Sequence, residues 1–273
     1  MENNNTPAIS VIMGVYNGEK FLEEAVRSVL SQTFEDFEFI ICDDCSTDSS
    51  AQILKKFAES DNRIKLIKNE KNLGLAATLN RCIEAASGEF LARMDCDDCC
   101  LPERFAVQYD WMKANPDVCA AGSDIEFIDD NGTVYGRKNI TADERFTLAE
   151  TVLFCRMFHP SVIMRKDKVQ SVGGYTSNEL TTRAEDYDLW CKLCEKGETV
   201  GNISKVLFRY REDQNNITRR KYKYRVQEFR LKWYWIRRAK RPVAELRYAI
   251  KPLIVGLLPL GLYKKLRRKK NTK

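Results

Sequence analysis

The chain has 273 residues, of which 44% are hydrophobic and 31% charged, and a formal net charge of +6. This composition is that of a globular protein with a substantial core, and it excludes a low-complexity or largely disordered chain. The charge is uneven, because residues 219–273 carry 20 Lys and Arg against two acidic residues while residues 1–218 carry 25 basic and 37 acidic residues. We therefore predict an acidic body and a basic tail (residues 219–273) that meets an anionic surface.

The first part of the body alternates strand-like and helix-like segments. The strand-like segments are mostly apolar, as is typical of strands buried on both faces, and they are Ile9–Val15, Phe37–Cys42, Ile64–Ile67 and Phe90–Met94. Segments with helical spacing separate them. This alternation predicts an α/β fold with a mostly parallel sheet and helices on both faces. Right-handed crossovers place the carboxyl ends of such strands at one edge, where open α/β sheets bind ligands.

The strand Phe90–Met94 ends in three carboxylates within four positions, Asp95, Asp97 and Asp98. Asp95 and Asp97 are two residues apart, so on an extended backbone they face the same way and can share one hard cation. Oxygen ligands without a nearby His suit Mg²⁺ or Mn²⁺, which usually complete their shells with substrate phosphates. The alternative is an acidic loop that caps the helix beginning at Pro102.

Three further polar residues, Tyr16, Asp43 and Asp44, directly follow apolar strands and are predicted to lie at the same edge. This common placement favours the metal site over the capping loop. The chain has neither GxGxxG after the first strand nor GxxxxGK(S/T), so a dinucleotide dehydrogenase and a P-loop kinase are disfavoured. We therefore expect carboxylates and a metal ion, rather than a glycine-rich loop, to hold the phosphates.

The second part of the body alternates less regularly. The predicted elements are helix Pro102–Lys113, strand Val118–Ile128, a hairpin at residues 130–132, helix Ala142–Phe154, strand Ser161–Met164, a helix that begins with Glu185 and Asp186, and strand Val206–Tyr210. No proline- or glycine-rich linker separates these parts. Residues 1–218 are therefore predicted to form one domain, with a nucleotide-binding half at about 1–117 and an acceptor half at 118–218.

The ten cysteines raise the question of disulfides or zinc. Cys191 and Cys194 form a CxxC inside a helical pattern with no second pair, which disfavours structural zinc. Met1–Pro7 is polar and lacks the apolar stretch of a signal peptide. We therefore expect a cytoplasmic protein with reduced thiols.

Seven ordered motifs between Ile9 and about Thr218 resemble those of the family 2 glycosyltransferases, which are inverting enzymes with the GT-A fold. The motifs are Ile9–Asn17, Ser28–Phe34, Asp43–Ser49, Asn72–Asn80, Gly88–Asp98, His159–Arg165 and Ala184–Trp190. The resemblance implies that a sugar moves from a nucleotide-sugar donor of the UDP type to an acceptor hydroxyl. It also implies a divalent cation, Mn²⁺ or Mg²⁺, as cofactor.

The resemblance further implies the roles of five residues. Tyr16 and Asp44 correspond to contacts with uracil. Asp95 and Asp97 correspond to the DxD pair, in which the first carboxylate binds the ribose side and the second binds the metal that bridges the diphosphate. Asp186 corresponds to the general base that takes the proton of the acceptor hydroxyl.

Three other positions leave alternatives open. Glu185, beside Asp186, is the next candidate for the base, and the alternative role of the pair is stabilisation of a helix N-terminus. His159 either lines the acceptor side or makes a core hydrogen bond. Relatives often have Tyr-Arg-x-His near the end of the body, where the His assists the metal. Here Asp213 stands in that place, and either it ligates a hard cation or the role is absent.

The basic tail interleaves aromatic residues with Lys and Arg. This pattern is typical of a nucleic-acid-binding surface or of an amphipathic helix at an anionic membrane, and a helix that packs on its own body is a third alternative. Leu253–Tyr263 is apolar but too short to span a bilayer core of about 30 Å. Six of the seven residues Lys264–Lys270 are basic. We favour peripheral association with the inner face of the membrane.

The leading hypothesis is a metal-dependent glycosyltransferase at the cytoplasmic face of the membrane, which builds a surface polysaccharide on a glycan or lipid-linked acceptor. A glycosyltransferase-like scaffold without turnover is disfavoured because Asp44, Asp95, Asp97 and Asp186 are all present. A nucleic-acid-binding protein is disfavoured because the body has no recognition motif.

Overall fold

The computed structural model describes residues 6–154, 156–212 and 221–259. Within these residues, the strands are β1 (Ile9–Val15), β2 (Phe37–Asp43), β3 (Ile64–Lys68), β4 (Phe90–Met94), β5 (Cys99–Cys100), β6 (Val118–Ile128), β7 (Val134–Arg137), β8 (Glu144–Phe146), β9 (Ile163–Arg165) and β10 (Thr199–Arg211). The helices are α1 (Leu22–Leu30), α2 (Ser50–Ser60), α3 (Leu75–Ala85), α4 (Arg104–Ala114), α5 (Leu148–Thr151), α6 (Lys166–Ser171), α7 (Glu185–Glu195), α8 (Tyr222–Arg238) and α9 (Arg247–Leu257).

All ten of these strands belong to one sheet, in the order β3-β2-β1-β4-β9-β6-β10-β5, with β7 beside β6 and β8 beside β10. The strands β1 to β4 run parallel to one another, and β6 pairs in parallel with β10. The short strand β9 lies between β4 and β6 and is antiparallel to both. The predicted α/β fold with a mostly parallel sheet is therefore confirmed.

The central strands β1, β2 and β4 are buried on both faces because helices cover each face of the sheet. Alternate residues of a strand point to opposite faces, so Val11 and Met13 of β1 pack in one core cluster while Ile12 packs in the other. The first cluster includes side chains of α1, α2 and α4, and the second includes side chains of α3 and α7. This packing on both faces explains why most residues of the central strands are apolar.

The predicted helix Ala142–Phe154 is wrong over much of its length. Residues 144–146 form the strand β8, which pairs antiparallel with β10 and buries Phe146. The helix α5 begins only after Thr147, which forms a capping box with Glu150. The apolar spacing fits a helix, but the pairing with a strand more than 50 residues later in the chain decides the conformation of the first half.

Two other predicted strands change their bounds. Residues 159–161 form a single 3₁₀ turn, and the strand predicted at Ser161–Met164 lies at Ile163–Arg165. The strand predicted at Val206–Tyr210 is part of the 13-residue β10, which pairs with β6 along almost its whole length.

The described part of the basic tail packs on the body. Leu231, Trp235 and Ile236 of α8 are buried in a third core cluster with Tyr187 and Cys191 of α7. The helix α9 packs in turn on α8. Among the described residues, no helix is both long enough and apolar enough to cross a membrane. The alternative of a helix that packs on its own body therefore holds for α8.

Candidate active site

The carboxyl ends of β1, β2 and β4 lie side by side at one edge of the sheet. Val15 is in register with Asp43, and Met13 is in register with Met94. The residues that follow these strands, Tyr16, Asp44 and Asp95, are therefore brought to the same edge.

Tyr16 lies on the loop after β1, with half of its surface exposed. The next residue, Asn17, has a positive φ of 51° and fixes this loop to the one after β2. Its backbone N–H donates to Ser46 Oγ at 3.1 Å, and its Oδ1 accepts from the Thr47 N–H at 2.8 Å. An exposed aromatic ring on a fixed loop is suited to stack on a flat ligand ring.

Asp44 is buried and organises the turn before α3. Its Oδ1 accepts hydrogen bonds from Asn69 Nδ2 at 2.6 Å and from the Leu73 N–H at 2.8 Å, and its Oδ2 accepts from the Gly74 N–H at 2.9 Å. Gly74 has a φ of 83°, a conformation that favours glycine. The sequence did not indicate this positioning role, because the donors lie 25 to 30 residues away along the chain.

Asp95, Asp97 and Asp98 form an acidic cluster in which one oxygen of each carboxylate lies within 4.8 Å of the others. Asp98 is buried, and its Oδ1 accepts from the Arg211 N–H at 2.7 Å. No described residue donates a hydrogen bond to its Oδ2. Burial and the charges of Asp97 and Asp95 raise the pKa of Asp98 well above its ordinary value. Oxygen ligands of this number and spacing, one with an unsatisfied buried atom, fit a hard divalent cation.

Arg211, at the end of β10, stabilises the loop that carries the acidic cluster, which we call the acidic loop (residues 95–98). Its Nε donates to the Asp97 carbonyl at 2.8 Å, and its Nη2 forms an ion pair with Glu24 at 2.6 Å. The sequence leaves open whether Asp213 ligates a cation, and this residue lies outside the described residues. Among the described residues at the end of β10, Arg211 contacts Asp97 and Asp98.

Arg93 is a second cation that the sequence prediction missed. Its guanidinium is almost fully buried and forms an ion pair with Asp95, while its Nε and Nη1 have no hydrogen-bond partner among the described residues. Arg93 stands inside an otherwise apolar strand, and the sequence analysis did not single it out. Its spacing of two from Asp95 was the available signal, because residues i and i+2 of a strand share a face.

Glu185 and Asp186 begin α7, and Asp186 Oδ1 accepts from the Tyr187 N–H at 2.8 Å. Burial raises the pKa of Asp186, and the positive charge of Arg93 opposes this shift. Burial and the charge of Asp186 raise the pKa of Glu185 to about 7, again against the charge of Arg93. Arg93 therefore lies close enough to act electrostatically on both acids while it pairs with Asp95. The charge of Arg93 thus acts both on the acidic cluster and on the start of α7.

His159 is buried in the core. Its Nε2 is 2.7 Å from the Tyr175 hydroxyl, and its ring packs edge-on against Trp190. Burial, with a smaller effect of the Arg93 charge, lowers the pKa of His159 well below its ordinary value, so the ring is neutral. Of the two roles left open by the sequence, the structure shows the core hydrogen bond.

Residues 10–171 match the family model described as glycosyl transferase family 2. The chain belongs to this family. It is 35% identical to the putative glycosyltransferase EpsE of Bacillus subtilis (strain 168), over 98% of this chain and 95% of EpsE. It is 26% identical to WfgD of Escherichia coli, a UDP-Glc:alpha-D-GlcNAc-diphosphoundecaprenol beta-1,3-glucosyltransferase, over 91% of this chain and 93% of WfgD.

A solved structure extends the comparison to the fold of this family 2 glycosyltransferase. Residues 1–349 of S. aureus TarS, in complex with UDP-GlcNAc, superpose with a TM-score of 0.69 at 21% identity, covering 91% of this chain and 72% of that one. The GT-A fold predicted from the sequence motifs is confirmed.

Proposed function

We propose that this family 2 glycosyltransferase is metal-dependent and inverting, and that it moves a sugar from a UDP-linked donor to a hydroxyl of a glycan or lipid-linked acceptor during surface polysaccharide synthesis. The observation that carries the proposal is the placement of the acidic cluster and the Glu185–Asp186 pair around the same buried cation, Arg93. One site then offers carboxylates for a diphosphate-bound metal and a separate carboxylate for a proton.

The nucleotide end of the site is formed by the loops after β1 and β2. Tyr16 presents an exposed ring to uracil, and Asp44 fixes the turn before α3. WfgD is named for a UDP-Glc donor, and TarS was crystallised with UDP-GlcNAc, which supports UDP as the carrier. Asp95, oriented by Arg93, is the carboxylate for the ribose side.

The metal would be held by Asp97 and Asp95, with the buried Asp98 in the same cluster. A bound Mn²⁺ or Mg²⁺ supplies charge neutralisation for the departing diphosphate. The protein's own part is to hold the ligands: Arg211 fixes the backbone carbonyl of Asp97 and the carboxylate of Asp98, and Arg93 fixes Asp95.

Asp186 is the general base in this proposal. The acceptor oxygen attacks the anomeric carbon while the bond from that carbon to the diphosphate oxygen breaks, so that the configuration inverts. The proton of the acceptor hydroxyl passes to Asp186, and the electron pair leaves with UDP. The N-terminus of α7 and the charge of Arg93 both favour the ionised carboxylate before transfer.

The acceptor side faces the described part of the basic tail. Arg183, two residues before Glu185, lies over the ring of Tyr224 of α8 at 5.7 Å. WfgD is named for an undecaprenol-linked acceptor, which supports a lipid-linked acceptor here. We therefore propose that the enzyme associates peripherally with the inner face of the membrane through residues 219–273, whose net charge is strongly positive.

The test is release of UDP from a panel of nucleotide sugars by the purified full-length protein with Mn²⁺ or Mg²⁺. We expect turnover of one or a few UDP-sugars in the presence of metal. Binding of UDP without release from any donor would favour a scaffold and overturn the proposed function. Tighter binding to duplex DNA than to any UDP-sugar would favour the nucleic-acid alternative.

Asp44→Ala is expected to weaken UDP binding while the dependence on metal persists. The substitution leaves three donors unpaired in a buried turn, so we also expect the free energy of unfolding to fall by about 2–3 kcal/mol. Calorimetry with UDP and denaturation by urea measure the two effects. Glu70→Ala, an exposed acid in the same loop, changes the charge equally and should leave both values unchanged. Unchanged UDP affinity in Asp44→Ala would remove Asp44 from the nucleotide site.

A further inference from the structure

Three large apolar side chains of the helix α9 lie on the outside. Ile250 is 42% exposed, Ile254 59% and Leu257 73%, whereas the smaller Ala249 and Pro252 are buried. This is the reverse of the usual pattern for a helix on a protein surface, in which the large apolar residues face the core.

Close packing on α8 keeps α9 in this orientation. A Cβ added to Gly256 would lie 3.0 Å from Arg225 Cγ and 3.0 Å from Tyr222 Cδ2, so the two helices approach closely at this glycine. The small face of α9 is therefore used for contact with α8. Its large apolar face remains on the surface of the protein.

The exposed residues form one continuous stripe with two cations. Arg247, Ile250, Lys251, Ile254 and Leu257 are all exposed and recur every three or four residues, which places them on one side of the helix. We call these five residues the α9 stripe. A stripe of branched apolar side chains with Lys and Arg among them is suited to the boundary between lipid headgroups and acyl chains.

The C-terminal end of the α9 stripe lies on the acceptor side of the molecule. Gly256, beside Leu257, contacts the start of α8 at Tyr222 and Arg225. Tyr224, in the same turn of α8, lies under the guanidinium of Arg183, which is two residues before Glu185. A partner that binds the α9 stripe therefore lies next to the start of α7.

Charge identifies the occupant of this surface. The stripe itself carries two cations and no acid, and the sequence after residue 259 adds six basic residues at Lys264–Lys270. A second copy of the chain would bring the same positive charge to the interface, and a nucleic acid would leave the apolar side chains uncovered. An anionic bilayer complements both the charge and the apolar surface.

We propose that the α9 stripe is a membrane-insertion surface, which docks the protein on an anionic bilayer with the start of α7 beside the lipid headgroups. The proposal rests on the proposed function only for its acceptor: a sugar chain carried on a membrane lipid would emerge next to Asp186. Membrane binding through this stripe does not itself require catalysis.

The experiment compares co-sedimentation of the full-length protein with phosphatidylcholine vesicles that contain or lack phosphatidylglycerol. We expect the wild type to bind only the anionic vesicles. The double variant Ile254→Asp with Leu257→Asp should lose binding more than about tenfold, since it removes apolar insertion and adds negative charge. Lys251→Glu should weaken binding by about fivefold or more, and high salt should remove the difference.

The control variant is Leu66→Asp, which makes the same kind of change at an exposed apolar residue of β3. It should bind vesicles like the wild type.

Hydrolysis of a soluble UDP-sugar should be equal in all variants, because none of these residues contacts the site. If hydrolysis is absent in every protein while the stripe variants lose vesicle binding, the proposed function fails and the membrane surface stands. Equal vesicle binding by wild type and double variant would overturn the proposal, as would a concentration-dependent dimer that the double variant abolishes.

Discussion

Replacing Asp186 by Asn is expected to reduce turnover by about 10²–10⁴-fold, the usual contribution of a positioned general base. The substitution keeps the size of the side chain and removes its proton affinity. UDP affinity should change little, because the proposed function assigns the nucleotide and the metal to the loops after β1, β2 and β4. Steady-state UDP release and calorimetry with UDP, both in the presence of metal, measure the two quantities.

The pH dependence of the rate provides a second measurement of the same residue. The base must be ionised, and burial raises the pKa of Asp186. Activity should therefore fall as the pH drops through this raised value, above the range of an ordinary Asp, and this acid limb should be absent from the residual activity of Asp186→Asn.

Glu185→Gln is the matched control for Asp186→Asn. The pKa of Glu185 is raised to about 7, so this residue also titrates close to neutral pH. We expect a smaller loss of turnover in Glu185→Gln than in Asp186→Asn. Near-wild-type turnover in Asp186→Asn together with a large loss in Glu185→Gln would transfer the role to Glu185. Loss of UDP binding in both variants would mean that the pair is structural.

Asp97→Ala is expected to weaken UDP binding in the presence of Mn²⁺ by at least about tenfold, since even changes outside the direct ligands of a metal cost 10–100-fold in affinity. UDP binding by the wild type should fall similarly when EDTA removes the metal, and EDTA should have little further effect on Asp97→Ala. Asp130→Ala removes an acid from the exposed hairpin outside the acidic cluster and should behave like the wild type. Equal UDP affinity of the wild type with and without EDTA would contradict the metal site.

The strands that carry the site could be predicted from the sequence because they are buried on both faces. Ile9–Val15 and Phe90–Met94 are mostly apolar, and the structure gives both with the predicted bounds. The apolar pattern predicts strands reliably where helices cover both faces of the sheet. It fails at residues 144–146, where a helical spacing of apolar residues coincides with an edge strand that only its partner β10 defines.

The sequence predicts which types of residue surround the site better than it predicts the role of each residue. The carboxylates at the edge follow directly from their positions after buried strands. The pairing of His159 with Tyr175 and the anchoring of the acidic loop by Arg211 depend on contacts between distant segments, which no local pattern encodes. Arg93 could be predicted in part. Its spacing of two residues from Asp95 is visible in the sequence, whereas its burial next to the start of α7 is not.

The central claim is a single displacement in which Asp186 activates the attacking oxygen. It is tested most directly by the anomeric configuration of the sugar first released when the enzyme hydrolyses an α-linked UDP-sugar, followed by ¹H NMR before mutarotation. Water replaces the acceptor hydroxyl in this reaction, so the account predicts that the β-anomer appears first. Initial release of the α-anomer would contradict it.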